Sequence, residues 1–390
     1  MAGGGIPLCV PQIQGREWEY LKECLDTNFV SSVGPFVTRF ERDVANRVGI
    51  QHAVATSTGT AALHVALIVA GVEANDEVLV PTLTFIAPVN AIRYVNAWPV
   101  FVDAEASYWQ MDVDKLRDWV ERRCRFENGE LRNLETGRRV KAILPVHVLG
   151  HPVDMDPLLE IARKHGLAVI EDATESLGST YKGRALGTLG DVACFSFNGN
   201  KLITTGGGGM IVTNDAAMAR RAKYLTTQAK DDPIEFVHGE VGFNYRLTNI
   251  QAAMGCAQME QLDAYIARKR EIASRYTEFC SRIDGLTPMR SAPWADPTWW
   301  LFTVLVDEDE FGMDSRALLR LFDEHSIQTR PLWQPVHLSK AHRGSQSTDC
   351  SVAESLNRRA LSLPSSVGLT DEQQERVLGV LRSAAVAVPR

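Results

Sequence analysis

"DVACFSFNGNKLITTGGGGMIVTND", residues 191–215, places two apolar β-type runs, 191–197 and 209–214, on either side of a polar turn, a single lysine and four consecutive glycines. Glycine runs cost conformational entropy, so Gly206 to Gly209 mark backbone that approaches something closely or adopts positive φ. Lys201 therefore stands at a strand end beside a deliberately open stretch of chain. The same grammar recurs upstream, with apolar runs at 52–57, 77–81, 99–104, 141–146 and 167–173. Helical patterns at 59–71, 86–95, 111–123 and 155–166 lie between them. Such alternation, with nearly continuous apolar strands, predicts an α/β fold with a mainly parallel sheet covered on both faces. Ligands in such sheets bind at the carboxyl ends of the strands.

Beyond Asn214 the pattern changes. A long amphipathic stretch runs over 247–283, and the Pro-rich "DGLTPMRSAPWADP", 284–297, follows as a border. The remainder, with a strand at 299–308 and helical patterns near 314–325, 350–361 and 371–385, reads as a smaller α/β domain. The expected division is a large domain over 1–283, including the N-terminal segment, and a small one over 284–390; a chain of 390 residues exceeds a usual single core. Asn128-Gly129 and Thr136-Gly137 are turn signals that predict a polar hairpin at 125–139.

A net charge of −7 argues against a nucleic-acid partner, which needs a basic face. Seven cysteines with no CxxC pair indicate reduced thiols rather than a disulfide framework. The longest apolar run, 61–72, is too short for a bilayer, and the N-terminus lacks a leader pattern, so the expectation is a cytoplasmic protein with no membrane partner. No metal site is expected: HExxH is absent, and His147 and His151 are separated by a loop pattern without a carboxylate. Walker A, GxGxxG and GxSxG motifs are absent as well.

What remains is a lysine and a carboxylate. Asp172 follows the apolar "LAVIE" and Lys201 follows "ACFSF", both at carboxyl ends of strands. An aspartate there can pair with a protonated ring nitrogen, and a partly desolvated lysine can form a Schiff base. That pair is the protein's half of pyridoxal phosphate chemistry. A salt bridge at a loop junction is the equal alternative. "TSTGTAAL", 56–63, follows a strand and opens a helix, so the N–H groups of Gly59 and Thr60 and the Thr60 hydroxyl can cradle an anion, or the turn can be a plain N-cap. Ser196 adds a hydroxyl at the same edge. Phe85 can stack on a pyridine ring, or belong to the core.

The ordered motifs "VSSVGPFVTRFE", "TGTAALHVAL", "PTLTFIAPVNAI", "LPVHVLGHPVDMD", "EDATESLGS", "FSFNGNK", "GFNYRLTNIQAA" and "TRPLWQPVH" cover nearly the whole chain. They resemble the DegT/StrS family, the fold-type I pyridoxal phosphate aminotransferases that act on nucleotide sugars. The resemblance implies that Lys201 forms the Schiff base and Asp172 pairs with the ring nitrogen. It further implies that Phe85 stacks on the ring and that Gly59, Thr60 and Ser196 hold the phosphate. Glu175 departs from the Gln or His that many relatives carry near the cofactor's 3-oxygen.

"GFNYRLTN" lies where the family reaches into its neighbour's site, which implies a homodimer with shared active sites, Asn244 contacting the other subunit's phosphate or substrate and Arg246 its substrate. Arg330, Trp333 and His337 are candidates for contact with the nucleotide sugar; packing is the alternative for Trp333. The implied reaction has two halves. An amino acid, glutamate, leaves its amino group as pyridoxamine phosphate while Lys201 shuttles the proton, and a keto sugar then accepts that group. "FSFNGNKLITTGGGGM" and the hairpin look most like the legionaminic-acid-pathway branch, so the expected acceptor is C4 of a UDP-linked 4-keto-6-deoxy-N-acetylglucosamine, in bacterial surface-glycan synthesis. A GDP-linked or 3-keto sugar, or a sugar dehydratase reaction on the same cofactor, are the alternatives; the retained Lys201 favours transamination.

Overall fold

The computed structural model describes residues 4–232 and 234–386. Its central sheet has nine strands: β1 (His52–Thr56), β2 (Glu77–Pro81), β3 (Trp98–Val102), β4 (Cys124–Glu127), β5 (Glu130–Asn133), β6 (Arg139–Ile143), β7 (Ala168–Asp172), β8 (Val192–Ser196) and β9 (Gly209–Thr213). The order is β1-β9-β8-β7-β6-β2-β3, with the β4-β5 hairpin appended to β6. The ladders from β8 through β7, β6 and β2 to β3 are parallel. β9 runs antiparallel to both its neighbours, so the sheet is mixed rather than parallel throughout. The cause is the connection: 197–208 carries no helix, and without a crossover the chain can return only antiparallel.

Strand periodicity divides the interior in two. In β8, Val192 and Cys194 face one core with Leu67, Val80 and Phe101, while Ala193 and Phe195 face another with Phe40, Met210 and Tyr265. Helix α3 (Gly59–Val69) is apolar all round because it is buried against the sheet, with Ala62, Val65, Ala66 and Leu67 inaccessible. Its first turn therefore has one fixed position over the strand ends.

Two N-terminal helices that the motif reading does not anticipate, α1 (Glu17–Asp26) and α2 (Pro35–Val48), pack on the helix Asn249–Met259. Gly255 makes that contact close: a Cβ there would lie 2.7 Å from the Phe40 ring. The amphipathic stretch expected to run unbroken over 247–283 is two helices, Asn249–Met259 and Leu262–Cys280, with a break at 260–261. Glu260 at the break accepts from Tyr20 Oη and Arg39, and the second helix turns away to a third core that contains Tyr276, Phe302, Phe322 and Leu381. That core rests on a small antiparallel sheet, Leu286–Pro288, Phe302–Val306 and Ala360–Leu363. The last of these strands takes over where the helical pattern of 350–361 had been expected to continue, because Leu361 and Leu363 pair with Val304 and Phe302.

Candidate active site

Strands β1, β7 and β8 end at one cavity of about 340 Å³. At its α3 end, Thr58 is the N-cap, its Oγ1 accepting from Ala61 N at 3.0 Å. The N-cap reading of this turn is therefore met, and by Thr58. The N–H groups of Gly59 and Thr60 belong to the first helical turn and have no carbonyl inside the helix to bond; both residues line the cavity beside Ser196. Contact here is close. A Cβ on Gly59 would stand 2.8 Å from Ser196 Cβ, and one on Gly209 would stand 2.5 Å from the Thr58 carbonyl oxygen. The glycine run is explained by this approach together with positive φ at Gly206 (76°) and Gly208 (151°).

Lys201 Nζ lies 3.4 Å from Glu175 Oε1 and 3.9 Å from the centre of the Trp300 ring. Glu175 Oε2 accepts from Leu149 N at 2.8 Å. Asp172, at the end of β7, accepts from Thr174 N through Oδ1 at 3.1 Å, and its main chain is held by Pro145 and His147. Both carboxyls are buried, and burial pushes both upward. Hydrogen bonds and the charge of Lys201 oppose that push, so the site holds two carboxyls around one cation.

The remaining wall is aromatic and polar. Phe85, the residue before helix Ile86–Tyr94, is 54% exposed, so it faces open space and is not core. Its neighbour Thr84 presents a buried Oγ1 with no hydrogen-bond partner. Trp333 lines the cavity and stacks parallel to Trp300, ring centres 6.3 Å apart. His337 does not reach it: Nδ1 pairs with Thr82 Oγ1 at 2.7 Å and Nε2 with Glu354 Oε1 at 3.2 Å. Arg330 is exposed, with Nη1 on the Thr329 carbonyl at 2.8 Å. Asn244 is exposed and bridges to Thr227, and Arg246 has a buried Nε without a partner; neither lines the cavity of its own chain.

Motif reading passed over Trp300, Thr58 and Thr84. Thr58 was legible as an N-cap, whereas no spacing signal ties Trp300 to Lys201. Among the described residues, no group of three His, Cys, Asp or Glu side chains is placed to hold a metal ion. His147 instead pairs with Glu171 Oε2 at 3.0 Å, fully buried, and His151 bonds Pro152 O and Ala292 N. Among the described residues no helix is long and apolar enough to cross a membrane.

A lysine amine, a buried carboxyl at a strand end, an exposed aromatic face, an unpartnered hydroxyl and a helix N-terminus too tight for any side chain form a donor set that fits pyridoxal phosphate. Fold and cavity are those of a fold-type I, pyridoxal phosphate-dependent enzyme. Residues 11–382 match the DegT/DnrJ/EryC1/StrS aminotransferase family, and the chain belongs to it. It is 38% identical over 382 residues to the GDP-perosamine synthase of Caulobacter vibrioides, covering 98% of each chain. With the GDP-perosamine synthase of Escherichia coli O157:H7 it shares 40% over 369 residues, 94% of this chain and 95% of that one. The solved structure of S. venezuelae DesV superimposes with a TM-score of 0.86 at 32% identity, over 96% of this chain and 95% of the other.

Proposed function

We propose that this enzyme moves an amino group from glutamate to C4 of a GDP-linked 4-keto-6-deoxyhexose, a building block for a bacterial surface glycan. The nucleotide is supported by two relatives, each about two-fifths identical over nearly its whole length and each named as a GDP-perosamine synthase. The UDP-linked N-acetyl sugar rests on motif likeness alone and is the second reading. The 4-keto, 6-deoxy acceptor is the expectation drawn from the motifs.

In this reading Gly59, Thr60 and Ser196 hold the cofactor's phosphate, Phe85 lies against its ring, and Asp172 pairs with the ring nitrogen. The bound cofactor supplies an electron sink for the bond broken at the donor's Cα. With the cofactor bound, Lys201 Nζ would take the proton from that Cα and give it up to the cofactor's C4′ carbon within the first half-reaction, and in the second it would move a proton in the opposite sense, from that carbon to C4 of the sugar. Glu175, 3.4 Å away, keeps the amine aimed while it is free of the cofactor. Trp300 and Trp333, stacked parallel, form the aromatic wall beside this transfer.

The active unit is a homodimer with shared sites. Three features support it: the exposed Asn244, the buried and unpartnered Arg246 Nε, and the adjoining arm with Ile234, Phe236 and Val241 at 81%, 68% and 84% exposure. Apolar side chains this exposed mark an interface.

The decisive measurement is the visible spectrum of the cofactor-loaded enzyme. Glutamate should bleach the bound-cofactor band, and the GDP-linked 4-keto sugar should restore it. Restoration by the UDP-linked sugar alone would favour the second reading, and no restoration by either would reject both acceptors.

A further inference from the structure

Lys269 is buried in the helix Leu262–Cys280 and has no carboxylate partner among the described residues. A buried ammonium without a counter-ion is costly, and burial pushes its pKa down. Its donors go to the Trp300 carbonyl at 2.7 Å, to the Ser365 carbonyl, and to Cys9 Sγ at 3.9 Å. One of these partners, Trp300, is the residue whose ring lies under the Lys201 amine.

Trp300 is tied at every polar atom. Its carbonyl accepts from Lys269, its N–H donates to Leu149 O at 3.1 Å, and its indole Nε1–H donates to Asn200 O at 2.7 Å. Leu149 carries the contact onward, since its own N–H donates to Glu175 Oε2, and Glu175 Oε1 meets Lys201 Nζ. A closed circuit results, running from Lys201 to the Trp300 ring, through Leu149 to Glu175 and back. Leu149 sits at φ 59°, a left-handed conformation that leucine rarely takes. Strain of this kind persists only where surrounding contacts over-determine it. The indole face attracts an ammonium far more than a neutral amine, because the ring quadrupole acts on charge.

We propose that Trp300 is a catalytic residue, the surface on which the Lys201 amine rests while it carries the substrate proton, and that Lys269 is the positioning residue that fixes that surface. This rests on the reading of Lys201 as the proton-carrying lysine. Trp300→Leu should slow the glutamate half-reaction about tenfold, the loss of one partly desolvated cation–π contact, with KM for glutamate unchanged. The primary isotope effect with 2-deuterated glutamate should rise, as proton transfer becomes more rate-limiting. Trp300→Phe, which keeps a ring, should lose much less. Lys269→Met should reproduce the slower rate and the larger isotope effect, and Lys269→Arg should restore both.

Borohydride trapping of added pyridoxal phosphate, read by peptide mass, gives a measure independent of turnover. One adduct per chain at Lys201 is expected in the unaltered protein and in every variant. A Trp300→Leu variant with unaltered rate and isotope effect overturns the proposal while the functional reading stands. An unaltered protein that traps nothing at Lys201 overturns both. Should Lys269→Met fail to fold, the Trp300 pair still decides: Leu and Phe variants of equal rate overturn the proposal.

Discussion

Lys201 shares its pocket with two carboxyls that burial has pushed upward, Asp172 and Glu175, and among the described residues it is the only lysine lining that cavity. Removing the amine removes one charge that opposes the push and, in the proposed function, the proton carrier as well. Lys201→Ala should lower turnover by roughly 10³-fold, the middle of the range that a positioned acid–base group contributes, while pyridoxamine phosphate still binds. Steady-state kinetics and equilibrium dialysis check both halves of that statement. Away from the site, His151 is buried and held near a pKa of about 4, chiefly by desolvation. Its Nδ1 donates to the Pro152 carbonyl and its Nε2 accepts from Ala292 N, so the neutral ring is the one the fold accommodates. Because the folded value lies below the unfolded one, stability is lost as pH falls from about 6.5 towards 4 and levels off below that. Protonation should cost at most roughly 3 kcal/mol. Denaturant titrations at pH 7 and pH 4.5 should show the drop, and His151→Gln should shrink it.

The β1–α3 turn and the 197–208 connection form one device, in which the turn lies directly on the ends of β8 and β9. Gly59 has no room for a methyl group, 2.8 Å from Ser196 Cβ, so Gly59→Ala must push the turn off the strand. The expected cost is about 1–3 kcal/mol of stability from overpacking. Pyridoxal phosphate affinity should fall at least about tenfold as helix N–H groups and hydroxyl move out of register. Thermal melts with and without cofactor separate the two effects. Elements of this kind were legible in unequal degree. The hairpin was plain because Asn128 and Gly129 both take positive φ, at 54° and 82°, as an Asn-Gly turn between strands requires. The break at 260–261 was not, since it depends on Tyr20 and Arg39 reaching Glu260 from helices far away in the chain. The strand Ala360–Leu363 was hidden for the same reason: only its partner Phe302–Val306 distinguishes it from a helix end.

A complete active site is expected to need two chains. If Asn244 and Arg246 serve the neighbour's cavity, a Lys201→Ala subunit and an Asn244→Asp subunit carry their defects in complementary places. Each variant alone should be nearly inactive, whereas a mixture that exchanges subunits at random should recover up to about a quarter of the unaltered activity, one intact site in half of the dimers. No recovery in a mixture shown by native mass spectrometry to contain heterodimers would overturn the shared-site reading. The sequence by itself determined the alternation of strands and helices, the lysine and aspartate at strand ends, and the glycines between them, because each is written in local period or in a residue type that backbone geometry demands. Tertiary structure alone decided that β9 turns back antiparallel, that Thr82 and Glu354 hold His337 out of the cavity, and that Trp300 lies beneath Lys201. Those outcomes follow from pairing and burial between segments distant in the chain, where no local pattern records which groups will meet.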